Sequence, residues 1–158
     1  QIDLYSKLRG EDKNNATEYL RKILYTNHGM RHEDTTASKY DDLIVDEKFY
    51  TYDVCSLEGT VYQIVGRIDR IRENDDGSRT VVEIKNRSRG LFRTVRDYEE
   101  IQCQTYMEML NVPKCELIEQ YNDSTLGYYI NRDVMKWKSE IRPKIISFCE
   151  YFHSLLSK

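Results

Sequence analysis

The stretch VVEIKNRSRG, residues 81 to 90, sets the tightest limit on what this chain can fold into. Its β-branched opening reads as a core strand, and alternate side chains of a strand point to opposite faces, so Glu83 and Lys85 share one face. Upstream, residues 61 to 71 (VYQIVGRIDRI) read as another strand, and between the two lies ENDDGS, rich in residues that turn a chain. Residues 61 to 86 are therefore predicted to form a β-hairpin. If it is symmetric about Asp76, Asp69 faces Glu83 and Arg67 faces Lys85. Opposed β residues sit roughly 5 Å apart, so two carboxylates there repel and raise each other's pKa unless positive charge lies between them. A divalent cation such as Mg²⁺ or Mn²⁺ meets that need with hard oxygen ligands, and a backbone carbonyl such as that of Ile84 would complete the set. Lys85 then points at the same place, where its compact charge would hold an attacking water or steady charge on a phosphate. The alternative is a solvated sheet face on which Arg67, Asp69, Glu83 and Lys85 form a charge ladder.

Other segments carry residues of matching chemistry. A helix is expected from Asn27 to about Tyr40, where Met30, Glu33, Ala37 and Tyr40 fall on one side, so Glu33 either occupies the middle of the apolar stripe and needs a partner, or sits at the edge of a poorly amphipathic helix. Gly29, one turn earlier, lets that helix approach a neighbour closely. His28 and His32 read as polar surface residues. Residues 97 to 111 (DYEEIQCQTYMEMLN) are predicted to form a helix stopped by Asn111 and Pro113, with Tyr98, Ile101, Thr105 and Met109 on its inner face, Gln102 among them and Gln104 to the side. An inward Gln102 can hydrogen-bond a lysine, a water or a phosphate. Residues 84 to 96 hold Lys85, Arg87, Arg89, Arg93 and Arg96 without one acid, a local phosphate-binding strip, with Phe92 available to stack on a base.

The rest of the chain supplies a frame. Residues 14 to 26 read as a helix, 48 to 55, 115 to 121 and 126 to 131 as strands, and 133 to 157 as helical, with Pro143 in the first turn of a final helix. Helices around a run of strands predict an α/β or α+β domain with a mixed central sheet. The 158 residues fit one domain, 1–158, although Gln1 in place of Met also suits a piece of a longer polypeptide. Charged residues make up 32% and no apolar run is long enough to cross a bilayer, so an intracellular protein without a membrane partner is expected. A net charge of −3 argues against coating nucleic acid by bulk electrostatics, so a polyanion must be met locally. Cys55, Cys103, Cys115 and Cys149 show no C-x-x-C spacing, which argues against zinc or iron–sulfur ligation. Abundant Tyr and Asn hint at an AT-rich source such as a large virus.

Taken together, G-x-x-x-E (Gly29 to Glu33), G-x-x-D (Gly66 to Asp69), E-x-K (Glu83 to Lys85) and Q-x-Q-x-Y (Gln102 to Tyr106), in this order, resemble the PD-(D/E)XK nuclease superfamily, most of all its lambda exonuclease and YqaJ-type viral recombinase group, with RecB-like nuclease domains next. The proline of the superfamily's name is replaced by Ile68. The resemblance implies a restriction-endonuclease-like αβββαβ core and a metal-dependent nuclease acting on DNA. Asp69 and Glu83 would be metal ligands, Glu33 a further acid at the metal, Lys85 the catalytic lysine and Gln102 the helix glutamine. An RNA endonuclease of the same fold, of the cap-snatching kind, or an inactive nucleic-acid-binding module are the alternatives. Action alone, as a ring of copies, or with a helicase, polymerase or recombinase partner stays open at this stage.

Overall fold

The computed structural model describes residues 35–156. The helix predicted at 14–26 and most of the one at 27–40, with Glu33, Gly29, His28 and His32, lie outside the described residues. Residues 35–37 are helical, as predicted for the end of that second helix.

Among the described residues the strands follow the order β1 (Leu43–Val45), β2 (Tyr50–Leu57), β3 (Thr60–Gly66), β4 (Arg70–Glu73), β5 (Arg79–Asn86), then, after a helix, β6 (Lys114–Tyr121) and β7 (Ser124–Asn131). The helix between β5 and β6 is α1 (Asp97–Leu110), and the chain closes with α2 (Val134–Lys136), a π-helical turn (Trp137–Ile141) and α3 (Arg142–Leu156). Among the described residues five strands form a mixed sheet in the order β1-β4-β5-β6-β7, while β2 and β3 pair with each other in a separate two-stranded sheet. Within the large sheet β5 and β6 run parallel and the remaining pairs antiparallel. A parallel neighbour requires a crossover, and α1 supplies it.

The β4–β5 hairpin has the predicted register, with Arg70 opposite Val82, Ile71 opposite Val81 and Glu73 opposite Arg79. Its loop is centred on Asp76, with Gly77 at φ +81° and Ser78 N–H donating to the Asp76 carboxylate. The predicted strand at 61–71 is instead two strands that belong to different sheets. After Gly66 the chain leaves β2, buries Ile68, and joins the large sheet at Arg70. The apolar/polar alternation runs through residues 67–69 undisturbed, so nothing local except Gly66 marks the break.

Helix α1 ends as predicted, with Asn111 in the left-handed region at φ 53°, ψ 51°. Its inner face differs from the prediction: Glu99, Cys103, Gln104, Met107 and Leu110 are buried, whereas Tyr98 is 62% and Ile101 41% exposed. The reason is that polar groups on the buried side find distant partners. The Gln104 side chain donates to Asn131 C=O and accepts from Asp133 N–H, at 2.9 and 2.8 Å. Between α1 and the sheet lies a core of Ile68, Ile71, Val81, Cys103, Met107, Cys115 and Leu117. On the opposite face Val82, Ile84 and Ile118 pack with Ala37, Tyr40 and Leu43. In the final helical region Pro143 offers no N–H, and the preceding Arg142 N–H bonds back to Trp137 C=O, five residues earlier, a wider turn that absorbs the lost rung.

Candidate active site

The parity of β5 places Val81, Glu83 and Lys85 on the α1 side of the sheet. Parallel pairing sets Leu117 beside Glu83 and Glu119 beside Lys85. Strand β4 begins at Arg70, so Asp69 lies just where β4 and β5 part, one step beyond the last paired residues. There its carboxylate accepts the Ile84 N–H at 2.8 Å. Asp69 and Glu83 are thus brought together, as the hairpin register predicts, and the solvated charge ladder is ruled out because Glu83 is 2% exposed. Arg67, expected opposite Lys85, lies outside the strand and exposed, its guanidinium 6.0 Å from the Phe49 ring.

The two carboxyls feel one another strongly. Burial pushes Glu83 well above the ordinary carboxylate range and the charge on Asp69 pushes it further. Burial also raises Asp69, against the pull of the Ile84 N–H and of Lys85. Lys85 Nζ sits 3.7 Å from Glu83 Oε2 and donates to Gln102 Oε1 at 2.7 Å. Glu83 Oε1 is buried and has no hydrogen-bond partner among the described residues.

That orphaned oxygen is the fit test for a divalent cation. A buried carboxylate with one oxygen unpaired, beside a second carboxylate and with Lys85 as the cation acting on it, is one of a hard-oxygen donor pair, although Arg67 and Arg70 also act on Asp69. The chemistry of Asp69 and Glu83 fits a divalent cation bound through oxygen, and Ile84 belongs to the same strand as Glu83. Among the described residues no group of three His, Cys, Asp or Glu side chains is placed to hold a metal, and Glu33 lies outside them.

Gln102 also faces Tyr106, its Nε2 3.4 Å from the hydroxyl. Burial and then the Glu83 charge raise the Tyr106 pKa, which keeps its hydroxyl protonated. Gly66 makes this possible, since a Cβ there would stand 2.8 Å from the Tyr106 ring.

The basic strip is divided. Arg89, Arg93 and Arg96 are exposed. Arg87, expected among the phosphate-gripping residues, is withdrawn from them: its guanidinium lies 2.6 Å from Glu99 and 3.0 Å from Glu119 and is 9% exposed. Counting acids only between residues 84 and 96 missed these two, which arrive from α1 and β6. Phe92 is likewise engaged, with the Arg87 and Arg96 guanidiniums 3.8 and 4.7 Å from its ring centre. A carboxylate inside the apolar strand CELIEQY was the signal for Glu119, because an acid there must find partners.

Comparison with known proteins places this geometry. No curated protein matches the chain in sequence. Among solved structures, SSO0001 is similar with a TM-score of 0.57 and 24% identity, over 88% of this chain and 61% of that one. The chain therefore spans less than two thirds of that protein. The alkaline exonuclease LHK-Exo of Laribacter hongkongensis is similar with a TM-score of 0.55 and 17% identity, over 97% of this chain and 86% of that one. The same exonuclease in complex with dAMP gives 0.51 and 16%, over 96% and 86%. At these identities the likeness is one of fold. A sequence model of the PD-(D/E)XK nuclease superfamily matches residues 5–156, nearly the whole length, and with the mixed sheet, the flanking helices and the clustered Asp69, Glu83 and Lys85 the conclusion is that this chain belongs to the PD-(D/E)XK nuclease superfamily.

Proposed function

We propose that this protein is a metal-dependent nuclease that hydrolyses DNA phosphodiester bonds, of the exonuclease and recombinase type. The observation that carries the reading is the buried pair Asp69 and Glu83, with a vacant carboxylate oxygen, faced by Lys85. Asp69, Glu83 and the Ile84 carbonyl would hold Mg²⁺ or Mn²⁺, with Glu33 as a further acid. When bound, such an ion lowers the pKa of a water and offsets charge developing on a scissile phosphate. Lys85, aimed by Gln102 Oε1, orients the attacking water and steadies the phosphate oxygens. Gln102 is tied in turn to the Tyr106 hydroxyl, which fixes the amide's orientation. Arg89, Arg93 and Arg96 grip the DNA backbone without reading sequence. The likeness to an alkaline exonuclease that has been crystallised with dAMP supports DNA over RNA.

The test is thermal unfolding of wild type and Glu83→Ala with EDTA, Mg²⁺ or Mn²⁺, followed by incubation with linear DNA, circular DNA and RNA. An ion at a hundred times its Kd stabilises by about 2.7 kcal/mol. The expected result is a Mn²⁺-dependent rise in Tm that vanishes in Glu83→Ala, with cleavage of linear DNA by wild type. Cleavage of RNA alone would transfer the activity to an RNA endonuclease. No response to millimolar ion would end the nuclease reading.

A further inference from the structure

The buried cluster of Arg87, Glu99 and Glu119 uses one guanidinium for two carboxylates, each 0% exposed. A pocket of excess negative charge is an expensive way to hold a fold together, since well-packed apolar residues of the same volume serve stability as well or better. Its placement explains the expense. Arg87 stands two residues beyond Lys85, just past the end of β5, where its N–H still bonds the Gln120 carbonyl of β6, and Glu99 stands three residues before Gln102 on the same side of α1. Two residues of extended chain span roughly 6.6 Å and three of helix about 4.5 Å, so two cross-links a few ångströms apart join β5 and the residue after it to α1: Lys85 to Gln102, and Arg87 to Glu99.

The second cross-link is anchored mainly through Glu119, while Arg87 Nη2 and Glu99 Oε1 are buried without a hydrogen-bond partner among the described residues, and Glu99 Oε1 is held by its ion pair with Arg87 Nη1. Glu119 accepts from Arg87 Nε, from the backbone N–H groups of Phe92 and Arg93, and from the Tyr128 hydroxyl, at 2.9–3.0 Å. Glu99 accepts the Arg96 N–H at 3.1 Å across the first turn of α1. Strands β5, β6 and β7, the loop at 92–93 and the start of α1 are thereby locked to one guanidinium.

On the nuclease reading given above, we infer that Glu99 and Arg87 are positioning residues: they set the rotation and height of the first turns of α1, and through Gln102 they set where the Lys85 ammonium points. The inference assigns them no contact with DNA or metal.

Two measurements test it. The first is independent of activity: the ¹⁵Nζ resonance of Lys85, whose ammonium protons exchange slowly enough to be seen only while hydrogen-bonded. The signal is expected in wild type, absent in Gln102→Ala, absent in Glu99→Ala, and retained in Lys136→Ala, which breaks the outlying Lys136–Glu100 ion pair. The second is steady-state cleavage of linear duplex DNA. Glu99→Ala is expected to lower kcat about tenfold with KM and the Mn²⁺-induced Tm shift unchanged, and the double variant Glu99→Ala/Gln102→Ala to be no slower than Gln102→Ala. Should Glu99→Ala fail to fold, Glu99→Gln keeps the shape, loses the charge, and is expected to weaken both readouts in the same direction. A Lys85 signal that persists in a folded Glu99 variant, or losses in kcat that multiply in the double variant, would overturn the inference. An inactive wild type would remove the nuclease reading while the resonance still decides the linkage.

Discussion

Two glutamates on neighbouring strands of one sheet face, Glu83 on β5 and Glu119 on β6, are both removed from water, yet they live in opposite environments. Glu119 is surrounded by two backbone N–H groups, a hydroxyl and a guanidinium. Burial raises its pKa, but those four donors outweigh burial and hold the carboxyl below its ordinary 4.5. Glu83 has an ammonium at 3.7 Å, a second carboxyl nearby and one oxygen with no partner among the described residues, and it is pushed well above 4.5. Equal burial therefore does not mean equal role. The donor-rich site is electrostatically balanced; the donor-poor one is short of positive charge, and on the nuclease reading the fold tolerates its cost because chemistry is expected there.

The largest expected break in this contrast comes from Arg87→Ala. It leaves Glu99 and Glu119 buried without their shared cation, and should cost about 3–5 kcal/mol in urea unfolding. A loss below about 1 kcal/mol would mean that the cluster is wet and that the comparison fails. Lys85→Ala should act the other way round. Removing one group that stabilises developing charge typically lowers turnover about 10²–10³-fold, and here the fold and the Mn²⁺-induced Tm shift should survive. Undiminished cleavage would strip Lys85 of its role.

Glu83→Gln sharpens the contrast through pH. A carboxyl whose pKa is raised on folding keeps its proton in the fold at pH values where the unfolded chain has released it. The metal-free wild type therefore loses stability as pH climbs above about 4.5, and the penalty is complete above the folded-state pKa. The neutral amide escapes that penalty, so metal-free Glu83→Gln should be more stable than wild type at pH 8, by about 1–3 kcal/mol on the scale of an unsatisfied buried polar group, with the gain shrinking toward pH 5. Glu119 has the opposite sign: its lowered pKa stabilises the fold above about 4.5, and this is lost as pH falls through the folded-state value. Urea titrations of wild type, Glu83→Gln and Glu119→Gln across pH 2–8 separate the two slopes, and parallel slopes would show that the two sites do not differ. The smallest effect is expected from Arg89→Ala, an exposed member of the strip. Its DNA affinity should weaken alike for all sequences, and the slope of log K against log salt should fall by about one; a sequence-dependent loss would assign it to base reading.

Sequence alone settled whatever depends on near neighbours. The turn ENDDGS and the alternation on either side specified the β4–β5 register, and hence the approach of Asp69 to Glu83, because strand parity and turn geometry act over a few residues. Asn111 and Pro113 ended α1 for equally local steric reasons. The identity of the E-x-K pair was legible for the same cause, since two residues on a strand can only share a face. Tertiary structure decided the rest. It split the strand at 67–69 between two sheets, turned Glu99, Cys103 and Gln104 of α1 inward in place of Tyr98 and Ile101, and took Arg87 out of the phosphate strip. The inward turn of Gln104 and the withdrawal of Arg87 depend on polar groups that meet partners tens of residues away, Asn131 for Gln104 and Glu119 for Arg87. A hydrophobic pattern records a residue's own affinity for water and carries no trace of the partner that makes its burial affordable.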